Sequence, residues 1–195
     1  MRKEKLEKLK KYVDELKWYG NRLIEVKKNF VTVVPQRFYL KRGHIDREEI
    51  LKNGRDGSAV IIVPRVDNEL LVTIEPRVFT EKRVAVGFPA GYIEMYETPE
   101  LAAIRELREE TGYIARKMEE IDSYYQDEGV SAAYNHIFFA DGCGQAFKQK
   151  LDKDEIVRFM TFTYDELLEL EDNGYLSGAN SKLALCRIKK YMERG

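Results

Sequence analysis

Residues 91–112 read GYIEMYETPELAAIRELREETG, and the helix inside this stretch organises the reading of everything around it. Thr98 carries a side-chain oxygen for the free N–H groups of a first helical turn, and Pro99 suits the first helical position. Glu100 lies near the positive end of the helix dipole. Gly112 is a natural left-handed stop. These signals predict a helix over residues 99–111. At about 100° per residue, Glu106, Glu109 and Glu110 fall together on one face. Leu101, Ile104 and Leu107 occupy the opposite side, so the spacing predicts one core face and one face of three carboxylates.

Three carboxylates on one turn repel one another. Either this is a solvated acidic face, partly neutralised by Arg105 and Arg108, or it is a hard-cation site. Clustered oxygen ligands suit Mg²⁺ or Mn²⁺, which in turn grip phosphates. Position favours the second reading. The helix follows directly on a strand and the turn Pro89-Ala90-Gly91, and residues 91–96 curl back toward it. A loop that presents backbone carbonyls beside such a helix can complete a metal cage.

The spacing from Gly91 through Glu97 to Arg105-Glu106-Leu107, Glu109-Glu110 and Gly112-Tyr113 is similar to the Nudix box at every defined position. That resemblance implies an α+β protein, an α/β/α sandwich with a mixed central sheet, and metal-dependent hydrolysis of a nucleoside diphosphate linked to another group. It implies Glu106 and Glu110 as the main ligands of Mg²⁺, or Mn²⁺, with Glu109 assisting. Arg105 would brace the glutamates and Glu97 would tie the loop down. Over about residues 55–192 the chain most resembles ADP-ribose pyrophosphatases, which adds the backbone carbonyl of Ala90 as a metal ligand. Arg77 of Glu75-Pro76-Arg77 would face the phosphates, and Gly91 and Glu97 complete the substrate side. Two features depart from that pattern. Gly87 stands where an acid is usual two residues before the proline, and in residues 127–133, DEGVSAA, the acid precedes the glycine. Both touch the substrate side.

The same resemblance locates a general base. A bound cation lowers a carboxylate's pKa and makes it a poor proton acceptor. The base is therefore expected outside the box, on a segment able to close over substrate. The acidic stretch Asp152, Asp154, Glu155 precedes a strand where the resembling enzymes place theirs. Glu155 matches best and reaches further than Asp154.

Around this centre the chain has 195 residues, 33 Lys+Arg against 34 Asp+Glu and a net charge of −1. Such a balance argues against a broad nucleic-acid surface, and with it against RNA decapping. The longest apolar runs are strand-sized, so no membrane span is expected. The charged start MRKEKLEKLKK has no apolar signal core, and Cys143 and Cys186 have neither metal nor disulfide spacing. A cytoplasmic protein is expected. His44 and His136 are isolated; Cys186 is expected in the core and Cys143 in a turn.

Residues 1–54 read as an N-terminal helix and strand extension, and 55–195 as the hydrolase domain. In the extension, Leu6, Leu9, Val13 and Leu16 give residues 3–17 an apolar stripe that either caps the domain or pairs with a second copy. Residues 30–40 read as extended. Strands follow over 58–66 and 69–75, joined at Asp67-Asn68, then 83–88, 118–126, 134–140 and 155–162. A helix opening on the capping box Thr163–Glu166 ends at Gly174, and another covers 181–193 with Leu183, Cys186, Ile188 and Tyr191 facing inward. The resemblance implies a homodimer whose N-terminal strands help build the nucleotide site, with Phe38 or Tyr39 placed to stack on a base. Two alternatives stay open: hydrolysis of another derivative such as a dinucleoside polyphosphate, or a sensing module that binds without cleaving.

Overall fold

The β-branched runs of the chain's middle become strands because each is buried on both faces, as a sheet between helix layers requires. The computed structural model describes residues 1–17, 30–153 and 155–192. Asp154 and the expected helix end at Glu193 lie outside them. In chain order the elements are α1 (Lys3–Leu16), β1 (Val31–Tyr39), β2 (His44–Lys52), β3 (Ala59–Val66), β4 (Glu69–Pro76), β5 (Val84–Gly87) and β6 (Ala90–Tyr92). Then come α2 (Pro99–Thr111), β7 (Tyr113–Ile114), β8 (Lys117–Tyr125), β9 (Tyr134–Asp141), β10 (Gly144–Gln145), β11 (Arg158–Phe162), α3 (Tyr164–Asp172) and α4 (Ala179–Met192).

The central sheet runs β11-β4-β3-β9-β8, with β5 on β4 and β6 on β3. It is mixed: β3 and β9 are parallel, with Val60 opposite His136, and the other pairs are antiparallel. One face packs Ile61, Val63, Val72 and Ile74 against Leu9 and Leu16 of α1, Leu167 and Leu170 of α3, and Leu185 and Ile188 of α4. The other packs Val60, Ile62, Phe138 and Ala140 against Ala102, Ala103 and Leu107 of α2. The architecture is the expected α/β/α sandwich. Among the described residues no helix is long and apolar enough to cross a membrane.

The stripe on α1 is covered by its own chain. Burying Leu9 and Leu16 is worth about 1.5–3 kcal/mol each. Lys5 adds ion pairs to Glu69 (2.6 Å) and Glu166 (3.0 Å), and the terminal amine reaches Glu169 (3.0 Å). The capping box of α3 is present as expected, with Thr163 and Glu166 exchanging side-chain and backbone bonds.

Several expectations are corrected. Ala90 and Gly91 of the expected turn are strand: β6 begins at Ala90 and pairs with β3, Ile61 opposite Ala90. Strand β11 starts at Arg158, so residues 155–157 remain loop. The nine-residue β2, HIDREEILK, has no apolar alternation to announce it and forms because β1 offers a partner along its whole length. On α4 the buried residues are Ala184, Leu185 and Ile188, so Cys186 is exposed. Cys143 instead is buried against α2's face of the sheet, where its Sγ donates to the Ala140 carbonyl and burial pushes the thiol up to about 12.

Candidate active site

The helix α2 spans the predicted residues, and its ends are made by the predicted caps. Thr98 accepts from the Leu101 N–H, and Gly112 takes the left-handed conformation at φ +76°. Its buried face differs from the expected one. Leu101 and Ile104 are 56% and 44% exposed, while Ala102, Ala103, Leu107, Glu110 and Thr111 are buried. Two alanines let the helix lie close on the sheet, and that phase turns Glu110 inward. The carboxylate face is the edge of the core and not its opposite.

Glu110 is only 7% exposed, and its Oε2 accepts from the Ala90 N–H (3.2 Å). Burial drives its pKa well above the ordinary glutamate value, and the charges of Glu75 and Glu106 drive it further. Glu106 is also raised, first by burial, with the neighbouring Glu109 and Glu155 adding to it and Arg105 opposing. It lies against Gly91 so closely that a Cβ there would stand 1.9 Å from Glu106 Oε1. Only glycine leaves the carboxylate its place.

Arg105 is the positive charge of the site. Its guanidinium donates from Nε to Glu97 Oε1 (2.9 Å), from one terminal nitrogen to Glu97 Oε2 (2.8 Å) and the Tyr92 carbonyl (3.0 Å), and from the other to Glu106 Oε1 (2.6 Å). Glu109 lies 3.4 Å from that last nitrogen. Glu97 also accepts from the Glu94 N–H (3.0 Å), which closes the loop before the helix, and the Arg105 bonds hold its carboxyl below the usual range. Arg105 thus joins Glu97 of the loop to Glu106 of the helix.

The structure also gathers residues from outside the box. Strand β4 turns Val72 and Ile74 into one core, so Thr73 and Glu75 face α2's side. Thr73 Oγ1 donates to Glu75 Oε1 (3.0 Å) and lies 3.4 Å from the carbonyl of Gly87, its cross-strand partner. The Thr73 hydroxyl therefore links a carboxylate of β4 to the backbone of β5 at position 87. Sequence reasoning passed over Glu75; polar residues two apart in an apolar strand were the available signal. Arg77 pairs with Glu75 (2.9 Å) at the margin of this group and is otherwise exposed. Glu155 is near enough for its charge to raise both Glu106 and Glu110. His136, bonded to Glu120, takes no part in these contacts.

These are hard oxygen donors around a glycine cradle; burial, with the neighbouring carboxylates adding to it, holds Glu106 and Glu110 above the ordinary glutamate range, a cost that a cation would relieve. The residues fit a Mg²⁺- or Mn²⁺-type ion. Among the described residues no three His, Cys, Asp or Glu side chains converge on one point; Arg105 holds Glu106 and Glu109 in this structure.

A glutamate-bearing helix, an arginine brace and a glycine-backed loop on one side of a mixed sheet define a Nudix-type hydrolase. A family model described as NUDIX domain matches residues 55–179, and the chain belongs to the Nudix family. It is similar to ADP-ribose pyrophosphatase of Bacillus subtilis, 31% identical over 75% of this chain and 78% of that one. It is similar also to methanol dehydrogenase activator of Bacillus methanolicus, 32% identical over 67% of this chain and 69% of that one. The crystal structure of an ADP compounds hydrolase superposes with a TM-score of 0.73 over 87% of this chain and 90% of that one, at 22% identity, a likeness of fold. The chain is a Nudix hydrolase, of a family that generally requires a divalent metal.

Proposed function

We propose that this protein hydrolyses the pyrophosphate bond of ADP-ribose or a related nucleoside diphosphate-sugar, releasing a nucleoside monophosphate and a sugar phosphate. Mg²⁺ is the proposed cation, with Mn²⁺ able to replace it. The observation that carries the reading is the buried Glu110, set against Glu75 and Glu106 with one backbone N–H to offset them. The name of the Bacillus subtilis relative supports the substrate class.

In this reading Glu106 and Glu110 hold the cation with Glu109 and the Ala90 carbonyl, and Gly91 leaves room for Glu106. When bound, the cation neutralises the diphosphate and lowers the pKa of the attacking water. Arg105 keeps Glu106 and Glu109 oriented through turnover. Arg77 faces the phosphates. Glu155 accepts the proton as the water oxygen joins one phosphorus and the bridging oxygen leaves with the other phosphate. Substrates of this kind occur in the cytoplasm, where we place the protein.

Product analysis with Mg²⁺ across ADP-ribose, other nucleotide-sugars, dinucleoside polyphosphates and capped RNA tests this. Cleavage of ADP-ribose to AMP and ribose 5-phosphate is expected. Preferential cleavage of dinucleoside polyphosphates or capped RNA would overturn the substrate class, and binding without cleavage would make the protein a sensor.

The proposed assembly is a homodimer through the β1–β2 hairpin. Among the described residues the two strands form a sheet only with each other, and such a ribbon is marginally stable alone. Val31, Val33, Phe38, Tyr39, Leu40 and Ile45 are exposed on or beside it. A groove of about 530 Å³ runs between the hairpin and residues 128–132, with Phe38, Arg47 and Tyr125 in its walls. A second copy covering the hairpin would enclose that groove as the nucleoside end of the site. Light scattering is expected to give about twice 22.8 kDa; a fully active monomer at micromolar concentration would overturn the dimer.

A further inference from the structure

The last carbonyls of a helix have no partners within it. At the end of α2 one segment, between β10 and β11, takes them. The Ala146 and Phe147 N–H groups donate to the Gly112 carbonyl (3.0 and 2.9 Å), and the Lys150 N–H donates to the Glu109 carbonyl (2.8 Å). The Gln149 side chain does more: its Nε2 donates to the Glu110 carbonyl (2.5 Å) and to the Val157 carbonyl (3.3 Å). One amide thus ties the backbone of the buried Glu110 to the backbone entering β11. Glu155 lies between these two anchors, in a turn closed by its N–H on the Asp152 carbonyl (3.0 Å) and by the Asp152 N–H on its own Oε2 (3.1 Å).

We propose that Gln149 is a positioning residue that sets where Glu155 stands relative to the glutamate face of α2. The residue type follows from the geometry. A primary amide offers two N–H donors on one nitrogen, enough for two carbonyls facing from different elements. An ionised Glu has no donor, and Met, of similar length, has none either. Loss of two neutral hydrogen bonds is felt in stability, which thermal melts register separately. A displacement of about 1 Å at a reacting group, by contrast, costs on the order of 10²-fold in rate. The effect belongs in kcat.

The inference rests on Glu155 as the base, and the test separates the two claims by comparing Gln149→Met, Glu155→Gln and the double variant, each with a thermal melt. Gln149→Met is expected to lower kcat by about 10–100-fold, with KM and the Mg²⁺ half-saturation changed less than about threefold. In the Glu155→Gln background the same substitution should change kcat less than about twofold, because the group it positions is already lost. Should Gln149→Met not fold, Gln149→Asn keeps the amide but is too short for both carbonyls and carries the same comparison. Additive losses, or unchanged kcat in a folded Gln149 variant, overturn the positioning role alone. A near-silent Glu155→Gln overturns the base and the positioning role together.

Discussion

Glu110→Gln is expected to fold, to lose turnover, and to melt above the wild type in chelator at pH 8. The amide keeps the side chain's size and can still accept from the Ala90 N–H, the single bond on Glu110 Oε2. What disappears is the charge of a proposed cation ligand. Losing even an outer-shell partner of a metal site costs about 10–100-fold, and loss of a ligand should exceed that. The stability gain follows from linkage. Burial, then Glu75, then Glu106 raise the Glu110 pKa in the folded chain above its unfolded value of about 4.3. Below that value both states are protonated, and the folded protein has the full benefit of the proton it binds more tightly. As pH rises through the folded-state pKa the benefit is lost, and at neutral pH the buried charge is a cost. Gln carries no such charge, so its advantage in chelator should be present at pH 8 and gone near pH 4. Melts at the two pH values, beside activity with excess Mg²⁺, measure both effects. Full activity in the variant, or in wild type under excess chelator, would remove Glu110 from the metal site.

Glu155→Gln should lower kcat by roughly 10²–10⁴-fold, the usual worth of a positioned base. KM and the Mg²⁺ dependence should hardly move, since neither substrate nor cation loses a contact. The amide oxygen of Gln can still accept from the Asp152 N–H, so the bond between residues 152 and 155 is kept. That separates proton transfer from loop geometry. The alternative carboxylates are Glu109, which lies beside Arg105 on α2, and Asp154, outside the described residues. If Glu155→Gln is near-silent while Asp154→Asn or Glu109→Gln abolishes turnover, the base is the residue that fails.

The acidic loop illustrates how far the two kinds of information reach. Its charges and its place before a strand were legible. Its attachment was not: Lys150 and Gln149 bond to carbonyls some forty residues earlier in the chain, and nothing local to residues 146–157 announces that. Glu75 was missed for a related reason. Its neighbours on β4 mark a strand, but only packing decides which side of that strand meets α2.

The sequence by itself determined what depends on near neighbours. The limits of α2 follow from Thr98, Pro99 and Gly112, the α3 capping box from Thr163 and Glu166, and the family from the spacing of Gly91, Glu97, Arg105, Glu106 and Glu110, all readable within a few turns of chain. Only the tertiary structure decided which way those elements face. Periodicity groups Leu101 and Ile104 with Leu107, yet a helix offers several arcs, and the closest packing on β3 comes from Ala102, Ala103 and Leu107. That rotation exposes the two larger side chains and buries Glu110 against a carboxylate from another strand. A buried charge is costly unless something pairs with it, and it is the turn of α2 on the sheet, not the spacing of its acids, that makes Glu110 such a charge.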